Sequence, residues 1–168
     1  MLRRALQTIA ISMLAMLPLA AASQADPAGE VLLTVTGPMA DQAEAEAVQF
    51  DLEMLQELGT VEFETSTIWT QGVQTFEGVP LSALVENLGM SGTTLRATAI
   101  NDYAVDIPIS DAVEDGPIIA YKLNGEEMSV RDKGPLWIVY PYDSKKEYQS
   151  EVVYSRSIWQ LDRIEVIE

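Results

Sequence analysis

Residues 118–141 read IIAYKLNGEEMSVRDKGPLWIVYP, and this stretch decides the fold more than any other part of the chain. Its first six residues run into Asn124-Gly125, the dipeptide most typical of a two-residue β-hairpin turn. Its end, residues 134–140, is a continuous apolar run that stops at Pro141, which is typical of a strand buried on both faces. The stretch therefore predicts a hairpin followed by a buried strand.

Two short helices are predicted before this stretch. Asp51 can cap the first helix, which Gly59 ends. Val79-Pro80 opens the second helix, because proline costs no hydrogen bond in a first turn, and Gly89 ends it. The apolar residues that recur at helical spacing are Leu52, Leu55 and Leu58 in the first, and Leu81, Leu84, Val85 and Leu88 in the second.

Further strands are predicted from β-branched content or from alternation of apolar and polar residues. They cover residues 31–36, 61–65, 95–100, 103–109 and 158–167. Residues 39–48 show no clear apolar stripe and are interpreted as a loop with some helical character. Many strands with a few short helices indicate the α+β class: one compact domain over residues 26–168 with a mixed β-sheet core.

The first 25 residues are interpreted as a cleaved signal peptide. Arg3 and Arg4 precede an almost wholly apolar run over residues 5–22, and Ser23-Gln24-Ala25 offers small residues at the positions that a signal peptidase inspects. An uncleaved membrane anchor is the alternative, since the run is near the lower limit for a membrane span. The paired arginines suggest twin-arginine export, but the residues after them lack the aromatic and lysine that strengthen such a signal. We therefore expect unfolded export to the periplasm.

The composition excludes several kinds of chemistry. The 168 residues include no Cys and no His, so the chain has no disulfide, no thiolate nucleophile or metal ligand, and no imidazole base. Lys and Arg number 10 against 26 Asp and Glu, a formal net charge of -16. Because this charge repels phosphate backbones and anionic lipid headgroups, we expect neither nucleic-acid binding nor direct membrane binding after signal cleavage.

The first candidate binding residue is Trp69, which lies among hydroxyl and amide side chains such as Thr67 and Thr70. A tryptophan in such company is a suitable floor for a flat heteroaromatic ligand, because it offers a large π face beside adaptable hydrogen-bonding groups. The alternative is an ordinary core or rim tryptophan without a ligand.

A second candidate is the cationic segment Tyr154-Ser155-Arg156-Ser157, where a guanidinium and two hydroxyls could hold an oxyanion or a polar ring edge. The alternative is a surface arginine paired with a carboxylate. A third is the turn Asn101-Asp102-Tyr103, whose carboxylate could accept two hydrogen bonds from an amino-pyrimidinone edge. Its alternative is an Asx turn with a half-buried tyrosine. Lys145-Lys146 is interpreted as a solvated loop.

Several stretches, in order along the chain, resemble the molybdopterin-binding domain of the sulfite oxidase superfamily. They are FEGVPL at 76–81, NDYAVDIPI at 101–109, IAYKLNG at 119–125, GPLWIVYP at 134–141 and RSIWQLDRI at 156–164. The resemblance covers about residues 60–167 and implies that family's fold. In its enzymes a cysteine just after the strand equivalent to residues 61–65 binds molybdenum, whereas this chain has Thr65-Ser66-Thr67-Ile68-Trp69 there.

The chain is most similar to small cysteine-free exported members, which resemble pterin-binding proteins that work with a membrane sensor. This resemblance implies that Trp69 stacks on the pterin, Asp102 accepts from its amino and ring N–H groups, and Arg156 with Ser157 holds its carbonyl edge or side chain. Arg156 matches the family's cofactor-contacting lysine. Trp159 and Gln160 match flanking positions and are assigned to the core and its surroundings.

Three functions remain open at this point. The leading one is a non-catalytic periplasmic protein that binds a non-phosphorylated, reduced pterin and relays its occupancy to the periplasmic domain of a membrane sensor of the cyclic-di-GMP type. It needs no catalytic residue and no metal. The second is a molybdopterin-dependent oxidoreductase with an atypical, non-Cys metal environment. The third is a module that has lost every small ligand and meets a partner through its acidic surface.

Overall fold

The computed structural model describes residues 26–40 and 47–168. The predicted signal peptide at residues 1–25 lies outside the described residues, as does most of the loop predicted at residues 39–48. None of the helices in the described part of the chain is long and apolar enough to cross a membrane.

The described residues form two β-sheets with short helices, which confirms the α+β prediction. The strands are β1 Leu33–Thr36, β2 Val48–Phe50, β3 Val61–Ser66, β4 Val73–Pro80, β5 Thr94–Ala99, β6 Ala104–Pro108, β7 Ile118–Leu123, β8 Glu126–Glu127, β9 Trp137–Val139 and β10 Leu161–Ile167. The α-helices are α1 Leu52–Glu57, α2 Leu81–Asn87 and α3 Glu151–Arg156, and single 3-10 turns lie at Ile109–Asp111, Val130–Asp132 and Lys146–Tyr148.

The first sheet has the strand order β2-β1-β10-β5-β6. β1 pairs with β10 in parallel and the other pairs are antiparallel, so this sheet is mixed, as predicted. Val35 of β1 lies beside Ile164 of β10, and both side chains are buried. The first and last strands of the domain therefore meet in the centre of one sheet, which closes the core.

The second sheet has the order β3-β4-β7-β8, and β9 pairs with the other end of β7. Asn124-Gly125 joins β7 to β8, which confirms the hairpin, although β8 has only two residues. All three residues of β9 are buried, as the apolar run predicts, but its regular pairing is confined to Trp137–Val139. The second sheet thus contributes the fully buried Trp137 to the core.

The sequence analysis missed β4, the strand that joins β3 to β7. Its end overlaps the predicted helix start, because Pro80 ends β4 and also caps α2 with an extended backbone. Gly78 lies where the register of β4 against β7 shifts, and a Cβ there would meet the carbonyl oxygen of Ile119 at 2.3 Å. Glycine therefore permits the close approach of these two strands.

Both predicted helices are confirmed. Asp51 caps α1 and accepts from the backbone N–H of Met54 at 2.9 Å, and its other oxygen accepts from Ala28 and Gly29. These backbone donors hold the pKa of the Asp51 carboxyl below its usual range, Met54 most of all. In α2 the buried apolar residues are Leu81 and Leu84, followed by Leu88 at the C-cap.

Some boundaries differ from the prediction. β10 begins at Leu161 rather than at Ile158, and Val61 is 39% exposed because β3 is an edge strand. Helix α3 was not predicted, because Val153 is its one buried residue and its sequence shows no apolar stripe at helical spacing. Three connections meet at one end of the two sheets: residues 67–72 after β3, the turn after β5, and the segment from α3 to β10.

Candidate functional site

A cavity of about 550 Å³ lies where these three connections meet. Its aromatic wall is formed by Trp69, Tyr103, Tyr154 and Trp159, and its aliphatic wall by Ile68, Ala99 and Ile158. Polar groups come from Asn101, Ser155, Ser157 and Gln160, and among the residues that the structure describes Glu151 is the one charged residue of the lining. A mostly apolar cavity with a few polar side chains is the usual form of a small-molecule site.

Trp69 is the centre of an aromatic cluster. Its ring lies edge-on to those of Trp137, Tyr142, Tyr154 and Trp159, with centroid distances between 5.6 and 6.3 Å. Trp137 and Tyr142 are buried, so the cluster joins the cavity wall to the core. Trp69 and Trp159 meet at 76°, and both line the cavity. A flat ring that stacks on one of them therefore lies edge-on to the other.

The loop that carries Trp69 is held by its own hydroxyl groups. Thr67 Oγ1 and Thr70 Oγ1 are 2.8 Å apart, and Trp69 donates its backbone N–H to Thr67 Oγ1 at 3.1 Å. Thr67 and Thr70 do not line the cavity. In this geometry they shape the turn beneath Trp69, a local side-chain bond typical of such residues.

Thr65 and Ser66, at the start of the region where the resemblance implies a cysteine in related enzymes, also use their hydroxyls in hydrogen bonds. Thr65 is fully buried and its Oγ1 accepts from the backbone N–H of Asp143 at 3.1 Å. Ser66 donates its backbone N–H and its hydroxyl to the Asp143 carboxylate at 2.6 and 2.7 Å. These bonds, first that from the Ser66 N–H, lower the pKa of Asp143. They tie the end of β3 to the chain that follows β9.

Helix α3 forms one wall of the cavity, and contacts outside the cavity lining hold it in place. Arg156 Nη1 contacts Asp111 Oδ2 at 2.7 Å, and the buried Tyr140 hydroxyl donates to the same oxygen at 2.7 Å. Arg156 does not line the cavity. Its guanidinium is thus paired with a carboxylate, the alternative that the sequence left open.

Ser157 does line the cavity, but it is 3% exposed and its hydroxyl is bonded to the Tyr142 hydroxyl. Burial raises the pKa of Tyr142, so this phenol stays protonated at neutral pH. Trp137 donates its indole N–H to the Ser157 carbonyl at 3.3 Å. Ser157 therefore fixes the end of α3 to the aromatic cluster.

In the turn at residues 101–103, one of the two predicted binding residues lines the cavity and the other does not. Tyr103 is 58% exposed and lines the cavity, and its backbone N–H donates to Asn101 Oδ1 at 3.1 Å, so the Asx turn is present. Asp102 does not line the cavity. Its carboxylate pairs with Arg163 at 2.6 Å, and its backbone is left-handed, with φ 64°.

Of the predicted residues, the structure therefore brings Trp69, Tyr103 and Ser157 together around one cavity, and it leaves Thr67, Thr70, Asp102 and Arg156 outside its lining. Asn101, Tyr154 and Ser155 of the candidate segments also line the cavity, whereas sequence reasoning missed Glu151. It assigned Trp159 to the core, but Trp159 is 37% exposed and forms a wall. The sequence did offer one signal for Trp159, because it lies two residues beyond the cationic candidate segment.

A family model, the oxidoreductase molybdopterin binding domain, matches residues 33–144. The match covers more than half of the chain and includes every strand from β1 to β9. The chain belongs to this family. The match confirms the resemblance inferred from the sequence. The comparison with curated proteins gave no match.

The residues that match the family model, 33–144, supply only part of the cavity lining. Trp69, Asn101 and Tyr103 lie within the matched residues, whereas α3 and the segment up to Gln160 lie beyond residue 144. The wall with Glu151, Tyr154 and Trp159 is therefore contributed by the part of the chain that the family model does not cover.

The cavity of this molybdopterin-binding domain does not fit the phosphorylated, metal-loaded form of the family's cofactor. A phosphate is normally held by Arg or Lys, and the charged residue in this lining is a carboxylate. The chain has no Cys or His to bind molybdenum. Within residues 26–40 and 47–168, no group of three acidic side chains is placed to hold a metal ion. The aromatic walls fit a flat, uncharged ring.

Proposed function

We propose that this protein is a non-catalytic, periplasmic pterin-binding protein that relays ligand occupancy to the periplasmic domain of a membrane sensor of the cyclic-di-GMP signalling type. The ligand is a pterin without a phosphate group, in its reduced form. Family membership supports a pterin as the ligand, because the family binds molybdopterin. The location rests on the signal-like first 25 residues of the sequence.

One observation carries the proposal: two tryptophans at 76° wall a cavity whose lining, in the described part of the chain, contains a single charged residue, Glu151. A pterin is planar, nearly neutral and rich in hydrogen-bond donors and acceptors. Stacking on Trp69 or Trp159 supplies apolar contact, and the polar side chains at the edge supply orientation. A phosphate group would meet the carboxylate without a cation to balance it.

The bonding of the loop before Trp69 supports a binding role over a catalytic one. Thr65 and Ser66 begin the region, residues 65–69, in which the resemblance places the metal-binding cysteine of related enzymes, and Asp143 contacts both of them. Hydroxyls that bond to a carboxylate and a backbone amide have little capacity left for a metal or a substrate. Their role is to hold the cavity floor in place.

The exposed apolar side chains at the mouth of the cavity support a relay to a partner. Ile68, Tyr103 and Trp159 line the cavity and are 62%, 58% and 37% exposed. Apolar side chains that cluster at a binding site and face solvent often mark a contact with a ligand or another protein. A partner that covers this mouth would sense whether the cavity is filled.

The test is to express the full chain in a pterin-producing bacterium, purify it from the periplasm, and record released-ligand fluorescence beside metal analysis. We expect about one pterin per protein, no molybdenum, and a mature chain that starts near Asp26. Trp69→Ala should lose the pterin, because the stacking face is gone. Val113→Ala, an exposed apolar residue away from the lining, is the control.

Stoichiometric molybdenum with redox activity would refute the proposal. Family membership itself favours that second candidate, a molybdopterin-dependent oxidoreductase with an atypical metal environment. Its signature is activity with an artificial electron acceptor that rises in proportion to molybdenum content. Neither pterin nor metal, with partner binding intact in Trp69→Ala, would point to a scaffold that meets its partner through its acidic surface.

A further inference from the structure

Glu151 is the charged residue of the cavity lining, and nothing in the sequence singled it out. It is the first residue of α3, which begins at the cap residue Ser150. No Lys or Arg of residues 26–40 or 47–168 forms an ion pair with it. Its oxygens are therefore available as hydrogen-bond acceptors on the cavity side of α3.

The carboxylate predicted for ring recognition, that of Asp102, is engaged elsewhere. It pairs with Arg163 at 2.6 Å and lies outside the lining. Asn101 does line the cavity, and its Oδ1 accepts from the Tyr103 N–H. This leaves the Asn101 NH2 group as its donor. Among the polar residues of the lining, Glu151 thus offers a carboxylate acceptor on α3 and Asn101 an amide donor on the turn after β5.

From this arrangement we infer that Glu151 determines the specificity of the site, by accepting hydrogen bonds from two adjacent N–H groups on one edge of the ligand ring. The inference rests on the proposed function. An ionised carboxylate only accepts, and two parallel donors fit its two oxygens. In a 2-amino-4-oxopteridine these donors are the amino group and the neighbouring ring N–H.

The same geometry rejects a ring with oxygen in place of the amino group. A 2,4-dioxopteridine presents a carbonyl where the 2-amino donor would lie, and that oxygen repels the Glu151 carboxylate. Glu151 is exposed in the free protein, so the bound ring itself must cover its carboxylate, and a ring that lacks the amino donor leaves that carboxylate without a partner. The site therefore selects pterins over lumazines.

The experiment compares binding of pterin and of lumazine by isothermal titration calorimetry at about pH 6.5, where both rings are neutral, on protein freed of its ligand by dialysis. We expect the wild type to prefer pterin by roughly tenfold or more. In Glu151→Gln the preference should fall about tenfold or reverse, since the glutamine NH2 can donate to the carbonyl of lumazine. Glu147→Gln removes the same charge outside the lining and should keep the preference.

Each outcome separates the two proposals. If the wild type binds pterin, Trp69→Ala does not, and Glu151→Gln keeps the wild-type preference, the role of Glu151 is refuted and the proposed function stands. If the wild type binds neither ring, both are refuted. A purely helix-stabilising role for Glu151 would lower the melting temperature of Glu151→Gln and weaken both ligands equally, which also refutes the inference.

Discussion

Asp143 ties the loop that carries Trp69 to the second sheet. It accepts two hydrogen bonds from Ser66, and its own backbone N–H donates to the buried Thr65 hydroxyl. The enzymes that this chain resembles have a metal-binding cysteine just after the equivalent strand. Hydroxyl side chains form stronger hydrogen bonds than a thiol, and here they hold the loop to Asp143.

We predict that Asp143→Asn lowers the melting temperature at pH 7. The Ser66 N–H lowers the pKa of Asp143, so the ionised carboxylate stabilises the folded state. This contribution is complete above the usual carboxyl pKa of about 3.9 and is lost as the pH falls through the lower pKa of the folded state. The difference in melting temperature between wild type and variant should therefore shrink as the pH falls below the usual carboxyl pKa, and it should vanish once Asp143 is protonated in the folded state.

Thermal melts followed by circular dichroism measure this difference. Glu114→Gln is the matched control, since Glu114 is exposed and should change little at either pH. A wild-type and Asp143→Asn difference that stays constant down to the lowest pH would contradict the assignment.

Helix α3 shows how a short element is stabilised by its surroundings. Six residues are too few to form a stable helix alone. The ion pair of Arg156 with Asp111 and the bond of Ser157 to Tyr142 hold its C-terminal end. Burial, and then the bond to Asp111, raises the pKa of Tyr140, so this phenol remains a donor to the same carboxylate at neutral pH. These contacts keep the Glu151 wall at a fixed distance from the tryptophans.

In the second sheet, Gly78→Ala should destabilise the protein by about 1–3 kcal/mol. The new Cβ would lie 2.3 Å from the Ile119 carbonyl oxygen and 2.6 Å from the Ala120 Cα, both backbone atoms of the neighbouring strand. The strands must then separate at the register shift. Urea denaturation measures the free energy of unfolding, with Val73→Ala at the exposed end of β4 as the control.

The acidic charge acts on the whole molecule. With 26 acidic and 10 basic residues, most carboxylates have no cation to pair with. The mutual repulsion of these carboxylates opposes the compact state and is screened by salt. The excess also disfavours anionic ligands, in agreement with a ligand that carries no phosphate.

We predict that raising the ionic strength from about 10 mM to about 150 mM raises the melting temperature at pH 7 by a few degrees, because the Debye length falls from about 30 to about 8 Å. At about pH 4, where many carboxylates are protonated, the effect should disappear. Calorimetry at two salt concentrations and two pH values measures this. Lower stability in salt at pH 7 would mean that ion pairs such as Arg156 with Asp111 outweigh the general repulsion.

The sequence by itself determined the class of fold and much of its content. The Asn124-Gly125 turn, the cap at Asp51 and the apolar spacing of α2 each depend on residues close together in the chain. The structure contains all three features as predicted. The missing Cys and His were equally decisive, since no fold can supply an absent functional group. The family motifs then named the domain, which the family match confirms.

Only the tertiary structure decided which candidates share the cavity. Trp69 and Tyr103 face it, Asp102 and Arg156 are taken by partners far away in the chain, and Glu151 enters from a helix that no pattern predicted. Sequence periodicity reports which residues share a face of one element, but not which elements meet. The ion pairs that remove Asp102 and Arg156 join residues 61 and 45 positions apart, and such contacts exist only after the chain has folded.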